Sequence, residues 1–294
     1  PAANLATSGG KGANLARLVR AGFPVPPGFI LTTAAYRRFV AANAIEPRLR
    51  ARVAGLPAEQ PAALEAASAE IRAWCAVPGE VAQAIREAYA ALEQATPGVA
   101  PAVASVAVRS SATAEDLPEL SFAGQQETYL NVVGAEAVLA AVVQCWSSLW
   151  TARALGYRAR NAIPSDEAAL AVVVQVMVPS EAAGVLFTAD PLTGLRTRTV
   201  IDATLGLGEA LVSGLVEPDH YEVDTAAGAI VARKLGAKAL ALHGRPEGGV
   251  EARAADAHQQ QALPDDQVLA LAELGRRVAG EFGAPGSSPA SLRR

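Results

Sequence analysis

Apolar residues recur with helical spacing along residues 1–100. Leu15, Leu18 and Val19 stand three and four positions apart, so they form one stripe of a first helix that stops at Gly22. The proline-rich stretch 24–27 must run extended, because a residue before proline is pushed out of the helical region. Further helices are predicted after the caps Thr32 or Thr33 and at about 47–56, 60–75 and 79–94.

The pattern changes to short β-branched runs after residue 100. These runs predict strands at 103–108, 127–133, 169–177, 183–188, 198–202, 219–224 and 229–233. Helical spacing returns at 135–156 and 265–282, and the polar segment 244–261 predicts a surface loop. The combination predicts an α+β or α/β fold with a largely mixed sheet. We expect a helix-rich part at 1–100 and a mixed-sheet part at 101–294.

Composition narrows the classes of protein. With 51% hydrophobic and 18% charged residues over 294 positions, the chain should fold, with length for about two domains. A net charge of -4 excludes the basic excess of a nucleic-acid binder. Only Cys75 and Cys145 occur, which argues against a disulfide framework and for the cytoplasm. The longest apolar stretch, 168–178, is too short to span a membrane. Because the chain starts without Met, we expect a piece of a longer protein.

A glycine-flanked lysine opens the first helix. Gly9-Gly10-Lys11-Gly12 offers free backbone N–H groups, the positive end of the helix dipole and an ammonium group to an anion. The segment is no Walker A loop, since Gly12 follows the lysine where that loop has Ser or Thr. A plain exposed helix start is the alternative.

A second candidate follows the strand at 103–108. Arg109 stands at its exit and is followed by small residues up to 126, so its guanidinium can grip phosphate oxygens while the backbone approaches closely. Alternatively, this is a solvated loop whose arginine pairs with Glu115 or Asp116.

The strand at 169–177 contains one amide, Gln175, and the only methionine, Met177, before Pro179. Such an extended segment can read a nucleotide base, although a Val-rich strand is ordinarily core. Gln175 must find hydrogen-bond partners in either case.

The segment 206–214 superficially resembles a dinucleotide-binding fingerprint. Leu211 stands where that fingerprint has its third glycine, which excludes a Rossmann site. Glu209 in this segment can face a cleft or cap a helix. The histidines at 220, 243 and 258 lack metal-like spacing.

Six short blocks stand in a fixed order along the chain. They are Gly-Gly-Lys-Gly-Ala-Asn-Leu at 9–15, Pro-Val-Pro-Pro-Gly-Phe at 24–29, Val-Arg-Ser-Ser-Ala-Thr-Ala-Glu-Asp at 108–116, Phe-Ala-Gly-Gln-Gln-Glu-Thr at 122–128, Gly-Val-Leu-Phe-Thr at 184–188 and Gly-Leu-Gly-Glu-Ala at 206–210. Together they resemble the nucleotide-binding region of the phosphoenolpyruvate synthase family, which includes pyruvate, water dikinase, pyruvate phosphate dikinase and rifampicin phosphotransferase.

The resemblance implies an ATP-grasp fold with ATP held in a cleft between two lobes. It assigns phosphate binding and catalysis to Lys11 and Arg109, and closure over the phosphates to the loop from Ser110 through Gly124. The remaining implied contacts are Thr128 near the phosphates, Gln175, Met177 and Glu181 at adenine and ribose, and Glu209 at the phosphate or metal region.

The resemblance also implies transfer of the β-phosphoryl of ATP to a histidine on a swivelling domain, which passes it to pyruvate or to an alcohol such as rifampicin. Those domains are absent from this chain. The family continues after Ala284-Pro285 with Gln-Asp-Ile-Glu-Trp, whose acidic residues hold Mg²⁺, whereas Gly286 follows here and Ala279 stands in place of a glutamate. We therefore assign no metal ligand and expect weak ATP binding that restoring this segment improves. A truncated or degenerate nucleotide-binding module without activity is the alternative.

Overall fold

The computed structural model describes residues 3–53, 60–95, 104–113, 127–161, 169–255, 257 and 259–283. It forms two compact units. The first comprises Pro1–Met177 with Glu247–Gly249, and the second Val178–Pro246 with Val250–Arg294. The division between the units lies after Met177, and helices from before residue 100 pack on the same sheet as strands from after it.

Helices make up most of the first unit. They are α1 Leu5–Arg20, α2 Thr33–Ala42, α3 Ile45–Val53, α4 Pro61–Ala73, α5 Gly79–Ala95, α6 Ala135–Ser147 and α7 Ala152–Asn161. The helical stretch predicted at 135–156 is present. A 3-10 turn, Ser148–Trp150, interrupts it, because Thr151 is extended and its Oγ1 accepts a hydrogen bond from the Ala154 N–H at 3.3 Å, which caps a new helix.

One four-stranded sheet completes the first unit. Its strands are β1 Gly28–Leu31, β2 Val106–Ala112, β3 Thr128–Val132 and β4 Leu170–Val176, in the order β1-β4-β2-β3. Val106, Val108, Val172 and Val174 are fully buried on the face that packs against the helices. Every neighbouring pair is antiparallel, so the predicted mixed sheet is wrong: the chain reverses between adjacent strands and needs no parallel crossover.

The second unit contains a four-stranded antiparallel sheet in chain order. The strands are β5 Ala182–Phe187, β6 Arg198–Leu205, β7 Asp219–Asp224 and β8 Ala229–Lys234, and a short helix α8, Glu209–Val212, follows β6. Helix α9, Asp265–Phe282, covers one face, where Ile201, Tyr221 and Val268 are buried together. The described residues therefore confirm an α+β fold.

A β-hairpin occupies part of the segment 244–261, which was predicted to be a loop. Strands β9 Leu240–Gly244 and β10 Val250–Ala254 pair antiparallel. Gly248 and Gly249 turn the chain with φ of 106° and 74°, a region that favours glycine. The loop prediction is wrong for these residues. The sequence of β10 gives only a weak strand pattern, and the strand forms because its backbone hydrogen-bonds to β9.

One helical stretch among the described residues, Ala135–Gly156, is long and apolar enough to cross a membrane. Within the protein, 67% of its most apolar window is buried. Val138, Val142 and Trp146 are fully buried in the core of the first unit. Core helices meet the same criterion, so the stretch is weak evidence for a span.

Two glycines of α9 make a matched test of this packing. A Cβ on Gly275 would lie 2.5 Å from Leu186 Cδ2, whereas one on Gly280 would meet nothing within 4 Å. We expect Gly280→Ala to raise the free energy of unfolding by about 0.5–1 kcal/mol through higher helix propensity, and Gly275→Ala to lower it by about 1–3 kcal/mol through overpacking. Urea unfolding followed by circular dichroism measures both. Equal effects of the two substitutions would contradict this packing.

Candidate functional site

Helix α1 is broken at its glycine-rich start. Gly9 has φ 65° and ψ 177°, a conformation essentially restricted to glycine, so the regular helix begins only after it. The backbone at Gly10, Lys11 and Gly12 thus forms the first turn of the helix. This turn carries the positive end of the dipole of the regular helix.

Ser111 of β2 holds this turn against the sheet. Its Oγ donates to Ser8 O at 2.8 Å and accepts from the Gly12 N–H at 3.2 Å, on either side of the break. A Cβ on Gly9 would lie 2.2 Å from the carbonyl oxygen of Ser111. Only glycine therefore allows the turn to approach β2 this closely.

The strand register places three predicted site residues on one face of the sheet. Arg109 of β2 stands opposite Thr128 of β3 and Val173 of β4, and paired residues share a face. Gln175 lies two residues beyond Val173 and therefore on that same face, diagonal to Arg109 at about 7–8 Å. Ser111 also lies on it, so the turn with Lys11 sits over the face that carries Arg109, Thr128 and Gln175.

Arg109 has unsatisfied hydrogen-bonding capacity. Its side chain is half-buried, and within the part of the chain that the structure describes its buried Nε has no hydrogen-bond partner. A buried donor without a partner is costly. An anionic ligand that accepts from this guanidinium would remove that cost.

The charges of Lys11 and Glu127 both act on Cys145, which lies beneath β2. Burial raises the pKa of the Cys145 thiol to about 12; the nearby Glu127 carboxylate adds to the rise, and the Lys11 ammonium opposes it. The Cys145 Sγ lies 3.9 Å from the carbonyl oxygens of both Val108 and Glu127. Lys11 of α1 and Glu127, just before β3, therefore both lie within electrostatic range of the thiol beneath β2.

Gln175 and Met177 are held by specific contacts. Gln175 Nε2 donates to Pro26 O at 3.1 Å, which gives the lone amide of this Val-rich strand the partner that its burial demands. Met177 follows β4; its N–H donates to Ser105 O at 2.9 Å, and its Sδ accepts from the Asn131 N–H at 2.8 Å. Both residues belong to the first unit.

The two predicted glutamates belong to the second unit. The Glu181 carbonyl oxygen accepts from the Gly206 N–H at 2.8 Å, which ties the residue before β5 to the glycine turn after β6. Glu209 is exposed in the first turn of α8, where a carboxylate complements the helix dipole. The structure thus joins the two segments that carry these residues within one unit.

Some site predictions lie outside the described residues, and one feature was missed. Gly124 and the rest of segment 114–126 fall outside, as does His258. Sequence reasoning did not assign the contact between Ser111 and the broken start of α1. The adjacent serines after Arg109 and the paired glycines before Lys11 were its only signals, and they lie about a hundred residues apart.

Within the described ranges, no three His, Cys, Asp or Glu side chains converge to hold a metal ion. His220 pairs with Asp202, Nδ1 to Oδ1 at 2.8 Å, on the second sheet. We therefore name no Mg²⁺ ligand among the described residues and assign no step to a metal.

The fold and the site define an α+β domain in which a helix start broken at Gly9 lies over a sheet face that bears Arg109 and the amide of Gln175. The family model for the pyruvate phosphate dikinase AMP/ATP-binding domain matches residues 5–287, and the chain belongs to this family. This confirms the resemblance found in the sequence.

Named relatives agree with this membership. A rifampicin phosphotransferase of Streptomyces sviceus is 49% identical over 290 residues, covering 96% of this chain and 32% of that protein. A probable phosphoenolpyruvate synthase of Methanothermobacter thermautotrophicus is 43% identical over 283 residues, covering 95% and 41%. A rifampicin phosphotransferase of Bacillus subtilis is 41% identical over 287 residues, covering 96% and 32%. The chain therefore spans less than half the length of these relatives.

Proposed function

We propose that this chain is the ATP-binding, ATP-grasp part of a dikinase-type phosphotransferase, which moves the β-phosphoryl of ATP to a histidine on a separate domain. The observation that carries the proposal is the single sheet face that presents Arg109, Thr128 and Gln175 beneath the broken start of α1 with Lys11. Membership of the AMP/ATP-binding family supports it.

The chemistry follows from positioning and charge. The positive end of the α1 dipole and the Lys11 ammonium attract phosphate oxygens, and Arg109 donates to the same polyphosphate, so that negative charge is neutralised as the phosphoryl group leaves. Thr128 lies next to Arg109 and adds a hydroxyl donor. In this proposal Gln175 and Met177 contact adenine and ribose, and Glu181, Glu209 and Gly124 remain the further nucleotide contacts that the sequence resemblance predicts.

The acceptor is a second question. Identity to a rifampicin phosphotransferase, at 49%, exceeds identity to a probable phosphoenolpyruvate synthase, at 43%. A rifampicin phosphotransferase at 41% falls below that synthase, so identity leaves both pyruvate and an alcohol such as rifampicin as final acceptors. Incubating the longer protein with ATP and either acceptor, and identifying the phosphorylated product, decides between them. We place the protein in the cytoplasm, where ATP is available.

Calorimetric titration with ATP tests the binding site. We expect Arg109→Gln to weaken ATP binding by about ten- to a hundredfold, because charge-assisted hydrogen bonds to phosphate are lost. Arg50→Gln is the matched control, since Arg50 is an exposed arginine of α3. We expect it to leave the affinity unchanged.

The same titration distinguishes the alternatives. Heat with ATP, with or without Mg²⁺, supports a nucleotide-binding domain, and a stronger response with Mg²⁺ supports metal-assisted binding. No heat in either condition with folded protein contradicts the proposal and favours the degenerate module. Equal losses in Arg109→Gln and Arg50→Gln would show that Arg109 does not contact the phosphates.

A further inference from the structure

Asn131 stands at an irregularity of the first sheet, next to the segment that the proposed function assigns to the nucleotide base. Val106 pairs with Val132 and Val108 with Tyr129, so two residues of β3 stand opposite one residue of β2. This is a β-bulge, and Asn131 lies in it with φ 53°. Asparagine is among the few residues that adopt this left-handed conformation readily.

The bulge redirects the backbone N–H of Asn131 to Met177. That N–H donates to Met177 Sδ at 2.8 Å. The Asn131 Oδ1 accepts from Ser105 Oγ at 2.5 Å, and the Ser105 carbonyl oxygen accepts from the Met177 N–H at 2.9 Å. Asn131, Ser105 and Met177 therefore form a closed ring of hydrogen bonds that holds both the backbone and the sulfur of Met177.

The other end of the Asn131 amide holds the tip of the β9–β10 hairpin. Its Nδ2 donates to Gly249 O at 2.6 Å, and the Gly249 N–H donates back to Asn131 O at 2.8 Å. A Cβ on Gly248 would lie 3.3 Å from the same carbonyl oxygen, so the tip packs closely. Asn131 is 6% exposed, and its amide oxygen and nitrogen both bond to neighbouring residues, Ser105 and Gly249.

We propose that Asn131 is a positioning residue for the nucleotide base: the ring with Ser105 fixes Met177 so that its side chain forms one wall of the base site. The inference rests on the proposed function, which places adenine at Gln175 to Glu181. Lys11 and Arg109 act on the phosphates independently of this ring. The proposal therefore predicts a defect that depends on the base and spares the polyphosphate.

Two ligands separate these roles. We expect Asn131→Gly, which keeps the left-handed backbone and removes the amide, to weaken ATP binding about tenfold, while inorganic tripolyphosphate binds within twofold of the unsubstituted chain. Asn131→Asp retains the oxygen that accepts from Ser105, and we expect it to restore part of the ATP affinity. Asn43→Gly is the matched control, because its amide bonds Phe39 O and Ala76 O at the end of α2.

The single methionine supplies a direct readout. With ¹³C-methyl methionine, the Met177 signal, assigned by its loss in Met177→Leu, should shift on adding ATP or AMP and stay in place with tripolyphosphate. In Asn131→Gly, we expect it to move before ligand is added. Unchanged ATP affinity in Asn131→Gly, or equal losses for ATP and tripolyphosphate, would overturn the positioning role alone. An unsubstituted chain that binds no ATP would overturn the proposed function as well.

Discussion

Lys238→Met is expected to destabilise the second unit by about 3–5 kcal/mol, because it leaves a carboxylate buried without its counter-charge. Lys238 and Asp219 are both completely buried, and the ammonium group donates to Asp219 Oδ1 and, at 2.8 Å, to Gly236 O. Asp219 also accepts from the Ala262 N–H at 2.7 Å. The pair thus joins β7, the segment before β9 and the segment before α9.

Two further variants identify the cause. Lys234→Met removes an exposed ammonium that lies 3.0 Å from Glu217 Oε1, so we expect a loss below about 1 kcal/mol. Lys238→Met with Asp219→Asn removes both buried charges and keeps an acceptor for the backbone, so it should be more stable than Lys238→Met alone. If the double variant is as unstable as Lys238→Met, the loss of stability comes from packing rather than from the unpaired charge.

The measurement must report the second unit. All three tryptophans, Trp74, Trp146 and Trp150, lie in the first unit, so their fluorescence follows that unit. Urea unfolding by far-ultraviolet circular dichroism, with amide exchange of peptides from β7 and β9, follows the second. We expect Lys238→Met to accelerate exchange in those peptides.

Gly9→Ala is expected to disrupt the proposed phosphate site and the first unit together. The Gly9 backbone lies in a region that costs other residues about 1–3 kcal/mol, and its new Cβ would overlap Ser111 O and Oγ at 2.2 and 2.3 Å. The first turn of α1 must then move away from β2. We expect a loss of about 3 kcal/mol or more in tryptophan-detected unfolding, and ATP binding at least tenfold weaker.

Gly79→Ala is the matched control for this substitution. Gly79 opens α5 and a Cβ there meets nothing within 4 Å, so stability and ATP affinity should stay unchanged. Ser111→Ala tests the same contact from the other side, since it removes the hydroxyl that joins Ser8 O and the Gly12 N–H. A Gly9→Ala variant with unaltered ATP affinity would show that the turn does not bind the phosphates.

Local patterns located most of the regular structure. Helix α9 begins and ends where helical spacing and its flanking Pro264 and Gly283 predict, and β7 matches its predicted bounds. Local patterns did not predict strands whose formation depends on pairing with a strand that is distant in sequence or weakly patterned. Strand β1 was not predicted, since the extended chain was expected only at 24–27, and its pairing with β4 joins residues such as Leu31 and Val172. Strand β10 exists because β9 lies beside it.

The same division holds for the candidate site. Residue types made Lys11 and Arg109 candidate phosphate ligands, because a helix start between glycines and a strand-exit guanidinium are local features, and the family resemblance then assigned them that role. Ser111 escaped notice because its partners, Ser8 and Gly12, lie 103 and 99 positions away. Asn131 was not predicted as a site residue, because its proposed role depends on its position in a β-bulge and not on a sequence motif.

By itself, the sequence determined where most helices and strands form, which side chains can bind phosphate or a base, and, through its ordered motifs, which family the chain belongs to. Only the tertiary structure decided that Arg109, Thr128 and Gln175 share the face beneath Lys11. The physical reason is strand register: side chains alternate along a strand, so a slip of one residue between distant strands would turn one of these groups to the opposite face.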